Sequence, residues 1–254
     1  MAKIAIFDSG FGSLSLIRPI QKVTKSEIIY FADKKNFPYG KKSKSQLRHI
    51  IDDTIKMLKE NFNPDLIVIG SNTPSLLLQK KDTLRIIGVL PPIKEAAKIS
   101  KTSNIAILAT ESVVHSSELS NYIKLNKEKK LKIKKINASA LVDLVESGKF
   151  IDNYEYCKKI IRIVLNDIFE KNNIDVVTLS STHLPLLVSI LKKEFPKVIF
   201  LDPAKTIANK VAKITQKNRS KRNSIKIFTS SDPKIFQKHL FKVGFKHDVN
   251  YLSS

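Results

Sequence analysis

A chain of 254 residues with 42% hydrophobic side chains, 7 glycines and 10 prolines is long enough for one or two domains with a sizeable core, and is neither disordered nor fibrous. Its single cysteine excludes a disulfide framework and a cysteine metal knuckle, and no run reaches the ~18 apolar residues of a membrane span, so a cytoplasmic location and no membrane partner are expected. The 45 Lys and Arg against 23 Asp and Glu leave a net charge of +22, a field that attracts anionic ligands and holds nucleic acid only nonspecifically at low salt, since no zinc finger, ribonucleoprotein motif or basic zipper accompanies it.

Short apolar runs alternate with longer stretches of helical period, the pattern of parallel sheets covered by helices. Strands are predicted at Lys3 to Phe7, Ile28 to Ala32, Leu66 to Ile69, Ile86 to Val89, Ile105 to Leu108, Ile133 to Asn137, Val176 to Leu179, Val198 to Leu201 and Ile225 to Thr229. Lys44 to Glu60 sets Leu47, Ile50, Ile51, Thr54, Ile55 and Leu58 on one helical face. Tyr154 to Glu170 does the same with Ile160, Ile161, Val164, Leu165 and Ile168. Cys157, near the start of that second helix, reads as a packed thiol. The densest basic runs lie at 127–135 and 209–226 and read as solvated surface.

Open parallel sheets bind ligands outside the carboxyl ends of their strands. After the first strand stand Asp8, Ser9 and Gly10; after the second, Asp33 and then Pro38, Tyr39 and Gly40. After the third come Ser71, Asn72 and Thr73, after the fifth Thr110, and after the seventh Ser181, Thr182 and His183. Two stations look alike: an apolar strand, a small residue, then Ser71-Asn72-Thr73-Pro74 in one and Ser181-Thr182-His183-Leu184-Pro185 in the other. In a duplicated α/β unit the two serines could face one substrate carbon from opposite sides. Taken singly, Asp8 equally suits a helix cap, and Ser71 and Ser181 suit turn residues. No His/carboxylate spacing suggests a metal, and no phosphate loop or dinucleotide fingerprint is present.

These motifs, taken in order, resemble the glutamate racemase family of the aspartate/glutamate racemase superfamily. The family's opening Asp-Ser-Gly-x-Gly-Gly-Leu-Ser stands as Asp8 to Ser15, with Ser13 in place of the last glycine; its Tyr-x-x-Asp-x-x-x-x-Pro-Tyr-Gly-x-x-Ser stands intact from Tyr30 to Ser43. Its strand-Cys-Asn-Thr becomes Ser71-Asn72-Thr73, Leu-Val-x-Leu-Val-Glu-x-Gly stands at Leu141 to Gly148, and Cys-Thr-His-x-Pro becomes Ser181 to Pro185. The resemblance implies two similar three-layer α/β domains with parallel sheets and an active-site cleft between them: residues 1–94 plus 206–254 in the first, 95–205 in the second. It also implies amino-acid isomerase chemistry without pyridoxal phosphate or any other cofactor, in D-amino acid metabolism; the family often dimerises, and whether this chain forms a homodimer stays open.

By resemblance, Asp8 and His183 assist two thiol bases that here are Ser71 and Ser181, and Glu146 supports the histidine. Ser9, Pro38, Tyr39, Gly40, Asn72, Thr73, Thr110 and Thr182 hold the carboxylates and amine of glutamate, aspartate or a small dicarboxylate. A thiol ionises near pH 8.5 and can be brought lower, whereas an aliphatic hydroxyl is a far weaker acid and serves only if a neighbour takes its proton. The expectation is a protein that binds an acidic amino acid with racemisation lost or strongly altered. Two readings stay open beside it: an active racemase or isomerase working through Asp8, His183 and the serines, and a nucleic-acid-associated basic protein on the same scaffold.

Overall fold

The structure, a computed structural model, describes residues 2–78, 85–128, 130–216 and 222–253. Lys129 and residues 217–221, parts of the two basic runs, lie outside the described residues. Along the chain the strands are β1 (Lys3–Asp8), β2 (Glu27–Ala32), β3 (Leu66–Ile69), β4 (Ile86–Gly88), β5 (Asn104–Ala109), β6 (Lys132–Asn137), β7 (Val176–Leu179), β8 (Ile199–Leu201), β9 (Ser224–Thr229) and β10 (Val249–Tyr251). The chain divides into two compact units, Met1–Val89 with Ala204–Ser254, and Leu90–Pro203. The helix Ile93–Ile99 therefore falls wholly in the second unit.

Each unit is a parallel-sheet α/β domain. The first sheet runs β10-β9-β2-β1-β3-β4 and the second β6-β5-β7-β8, with every pairing parallel. Four strands of the first repeat the order of the second: the leading strand in the middle, the next on one side, the third and fourth on the other. That shared order makes β3 and β7 topologically equivalent. Strand β10 is the addition to the nine predicted strands.

Strands covered on both faces lose the alternation of half-exposed ones. Ile4, Ala5, Ile6 and Phe7 of β1 are wholly buried, and β2, β3 and β7 are buried along their lengths. Each fully buried Ile, Leu or Phe contributes about 1.5–3 kcal/mol. Strand β6 lies at an edge and keeps Lys132 and Lys134 exposed, a charge pattern that discourages further strand pairing. The helix Lys44–Phe62 starts at a capping box, Ser43 Oγ accepting from Gln46 N (3.2 Å) while Ser43 N donates to Gln46 Oε1 (3.0 Å). It buries Leu47, Ile51, Thr54 and Leu58 against Phe7, Phe31 and Ile67, the face its period sets out. In the second unit the helix Tyr154–Asn172 buries Cys157, Ile161, Leu165 and Phe169. Burial pushes the Cys157 thiol above its ordinary range.

The start of β7 is tied to its neighbours by Asp175. Its carboxylate accepts from Ser100 Oγ (2.6 Å), Lys101 N (2.6 Å) and Thr102 N (3.0 Å). Burial opposes the charge, but the hydrogen bonds from Ser100, Thr102 and Lys101 together outweigh it and hold the carboxyl below its ordinary value. A carboxyl depressed by folding stabilises the fold above its unfolded pKa, near 4, and loses that contribution as pH falls through its folded value. Asp175→Asn is therefore expected to lower the melting temperature at pH 7, with the gap to the parent closing as pH drops below about 4. Thermal melts across that range check it.

Candidate functional site

In a sheet of order 2-1-3-4 the connections leave the leading strand in opposite directions, so the crevice at the carboxyl ends lies between the first and third strands. In the first unit these ends carry Asp8 and Ser71, and in the second Thr110 and Ser181. Asp8, the last residue of β1, is buried, and one of its carboxylate oxygens accepts from Ser9 N at 2.7 Å. Gly70 precedes Ser71 because a Cβ there would overlap the Ser13 side chain and lie 3.0 Å from Phe7 O. Ser13 is wholly buried and donates to Tyr30 Oη (3.1 Å), which donates in turn to Gly10 O (3.1 Å). The serine at the place of the family's glycine thus fills the space that Gly70 leaves.

Asn72 opens the helix Asn72–Leu78 and is 4% exposed, yet neither its amide oxygen nor its amide nitrogen has a hydrogen-bond partner among the described residues. Native proteins seldom leave both ends of a buried amide unsatisfied, because each orphaned group costs about 1–3 kcal/mol. Thr73 beside it is half-buried. Ser75, one turn on, donates to Ser71 O (2.6 Å) and accepts from Val89 N (3.0 Å), fixing the start of this helix to the exit of β4.

The Pro38–Gly40 loop is anchored by a residue to which sequence reasoning assigned no role. Asp33 is wholly buried, and its carboxylate accepts from Asn36 Nδ2 (2.9 and 3.1 Å), Tyr39 Oη (3.0 Å) and Ser230 Oγ (3.1 Å). Burial, followed by the negative charges of Asp33 and Asp8, pushes the Tyr39 phenol well above its ordinary value, so it stays a donor. Ser230 also accepts from Lys35 N at 3.0 Å. Ser230 directly follows β9, so applying the strand-end rule to the ninth strand was the signal that could have found it. Pro38 and Gly40 are half-buried, and Lys34 lies 4.1 Å from the Phe37 ring centre.

In the second unit the structure brings three predicted residues into contact. His183 Nε2 lies 2.6 Å from Glu146 Oε1, and His183 Nδ1 lies 3.4 Å from Ser181 Oγ. Glu146 ends the helix Ser139–Glu146, and Ser181 and His183 belong to the bend that follows β7. Ser181, Thr182 and His183 are all buried. Thr110 precedes the short helix Glu111–Val114, its carbonyl accepting from Val113 N and Val114 N (3.0 Å each) and its hydroxyl lying 3.3 Å from Ser112 Oγ. Asp8, Ser9, Tyr39, Asn72 and Thr73 belong to the first unit, and Glu146, Thr110, Ser181, Thr182 and His183 to the second. Among the described residues no group of three or more His, Cys, Asp and Glu is placed to hold a metal ion, and no helix is long and apolar enough to cross a membrane.

No family model matches the chain. Among curated proteins, the glutamate racemase of Sulfurihydrogenibium sp. (strain YO3AOP1) is 33% identical over 243 residues, 92% of this chain and 91% of the relative. Among solved structures, glutamate racemase from Thermus thermophilus superposes with a TM-score of 0.84 at 24% identity, over 99% of this chain and 97% of that one. The Escherichia coli glutamate racemase, crystallised with L-glutamate and the activator UDP-MurNAc-Ala, gives 0.81 at 24% identity, over 99% and 98%.

Proposed function

The chain belongs to the glutamate racemase family, and on that premise we propose that it binds glutamate or a closely related acidic amino acid, without a cofactor, and that two-sided racemisation is lost. The observation that carries this reading is Asn72, a buried amide with an unmet donor and an unmet acceptor among the described residues. An α-amino acid satisfies both at once, its carboxylate accepting from the amide nitrogen and its ammonium donating to the amide oxygen. Ser9, Thr73 and the Pro38–Gly40 loop, in the same unit as Asn72, offer further hydroxyl and backbone groups for the ligand's carboxylates. The net charge of +22 favours a dianionic side of that chemistry.

The loss of racemisation follows from acidity. A two-base mechanism takes a proton from one face of the α-carbon and returns one on the other, and it needs a competent base on each side. The residues at the equivalent ends of β3 and β7 are Ser71 and Ser181, whose hydroxyls ionise far above a thiol. Ser181 Oγ has an imidazole nitrogen 3.4 Å away to take its proton; Ser71 Oγ has no hydrogen-bond partner among the described residues.

Titration calorimetry with the L- and D-forms of glutamate and aspartate, joined to α-proton exchange in D₂O followed by NMR and chiral separation, tests the reading. Binding of at least one enantiomer without inversion is expected. Inversion at a steady rate would overturn the loss of racemisation, and no heat with glutamate or aspartate would overturn the ligand.

A further inference from the structure

We propose that Ser181 is an activated nucleophile that accepts acyl groups from carboxylate-bearing esters, a reaction distinct from proton transfer at an α-carbon. The contacts that carry it run in one line, Ser181 Oγ to His183 Nδ1 at 3.4 Å and His183 Nε2 to Glu146 Oε1 at 2.6 Å. With Glu146 ionised, its carboxylate can only accept, which assigns the imidazole proton to Nε2 and the lone pair of Nδ1 to the serine hydroxyl. A hydroxyl facing a base whose other nitrogen is held by a third group is the arrangement that makes serine nucleophilic on unrelated folds. Here Nδ1 faces the serine, and either ring nitrogen serves as the base once the other carries the proton. The 3.4 Å separation is loose, and such pairs tighten when substrate docks.

Placement supports the same role. Ser181 follows β7 directly after a single intervening residue, and the turn Leu184–Leu187 begins three residues later, so the hydroxyl sits at the carboxyl end of a central strand, where open sheets perform their chemistry. The relay is one-sided: the equivalent residue after β3, Ser71, has no base bonded to its hydroxyl among the described residues. The net charge of +22 speeds the encounter with anionic esters over neutral ones.

The step balances without a further reactant. Oγ bonds to the ester carbonyl carbon as its proton passes to His183 Nδ1, the carbon–oxygen bond of the ester breaks, and the alcohol leaves with that proton. Water, giving its proton to the same nitrogen, then releases the acid and restores Ser181. Glu146 holds the imidazolium while it is charged.

Diisopropyl fluorophosphate with the full chain, followed by peptide mass spectrometry, tests the nucleophile: Oγ bonds to phosphorus, fluoride leaves, and the adduct is stable. One adduct is expected on Ser181 and none on Ser71, with labelling slowed about 100-fold in His183→Ala and about tenfold in Glu146→Gln. No adduct on Ser181, or an unchanged rate in His183→Ala, would overturn the proposal. With mono-4-nitrophenyl glutarate, the parent is expected to release nitrophenol at least about ten times faster than Ser181→Ala; equal rates would overturn the acyl assignment. Calorimetric titration with L-glutamate separates this proposal from the ligand reading above: heat with no adduct on Ser181 overturns the nucleophile alone, and an adduct with no heat overturns the ligand alone.

Discussion

Asp33→Ala is expected to lower the melting temperature by roughly 10 °C, the stability equivalent of about 4 kcal/mol. The wild-type carboxylate is wholly buried and is the acceptor for Asn36 Nδ2, Tyr39 Oη and Ser230 Oγ. Alanine leaves those donors without it, and Tyr39 and Ser230 are themselves buried. Each stranded donor costs about 1–3 kcal/mol. Asp33→Asn should fall between, because an amide offers one acceptor oxygen and turns an N–H₂ toward groups that also donate. Differential scanning calorimetry on both variants decides it; a drop under about 1 kcal/mol for Asp33→Ala would mean that the donors find other acceptors. The same variant should weaken ligand binding, because the Pro38–Gly40 loop loses its tether through Tyr39.

Asn72→Leu is expected to move stability and affinity in opposite directions. Leucine matches asparagine closely in shape, removes two buried polar atoms that lack partners among the described residues, and is the better helix former at the start of Asn72–Leu78. A gain of about 1–2 kcal/mol in stability follows, while L-glutamate affinity should fall at least about tenfold, or 1.4 kcal/mol. Calorimetric unfolding and titration on the same preparations read both quantities. A loss of stability would show that the amide is satisfied within the fold and is not kept for a ligand.

The parts of the fold that were legible are those that local patterning determines. Continuous apolar runs such as Leu66–Ile69 and Ile105–Leu108 are strands because both faces are covered, and the step of three and four from Leu47 to Leu58 names the buried face of its helix. Strand β10 escaped because Val249, Asn250 and Tyr251 are short, largely exposed and carry no apolar run. The site was legible where its members lie in one motif, as Ser181 and His183 do two residues apart, and the resemblance supplied Glu146, 37 positions away. Asp33 lies inside the Tyr30–Ser43 motif, but its meaning depends on Ser230, 197 positions along the chain. No window of sequence registers a partner at that distance. The unmet amide of Asn72 was equally invisible, since satisfaction of a hydrogen bond is a property of the packed state.

The discontinuity of the first unit bears on how the polypeptide assembles as it leaves the ribosome. Leu90–Pro203 is contiguous, so its sheet can close as soon as β8 emerges, and domains tend to fold as units during synthesis. The first unit cannot. Until β9 arrives, the outer side of β2 lacks the partner that later matches it from Glu27 to Ala32, and the helix Ile17–Val23 waits for Ala204–Ile214 to cover it. Pairings so distant along the chain form slowly, and an unpaired edge of six apolar-flanked residues is a template for wrong partners. The nascent chain is thus expected to carry a finished domain and an open one at the same time, the open one closing only when translation delivers its last strands.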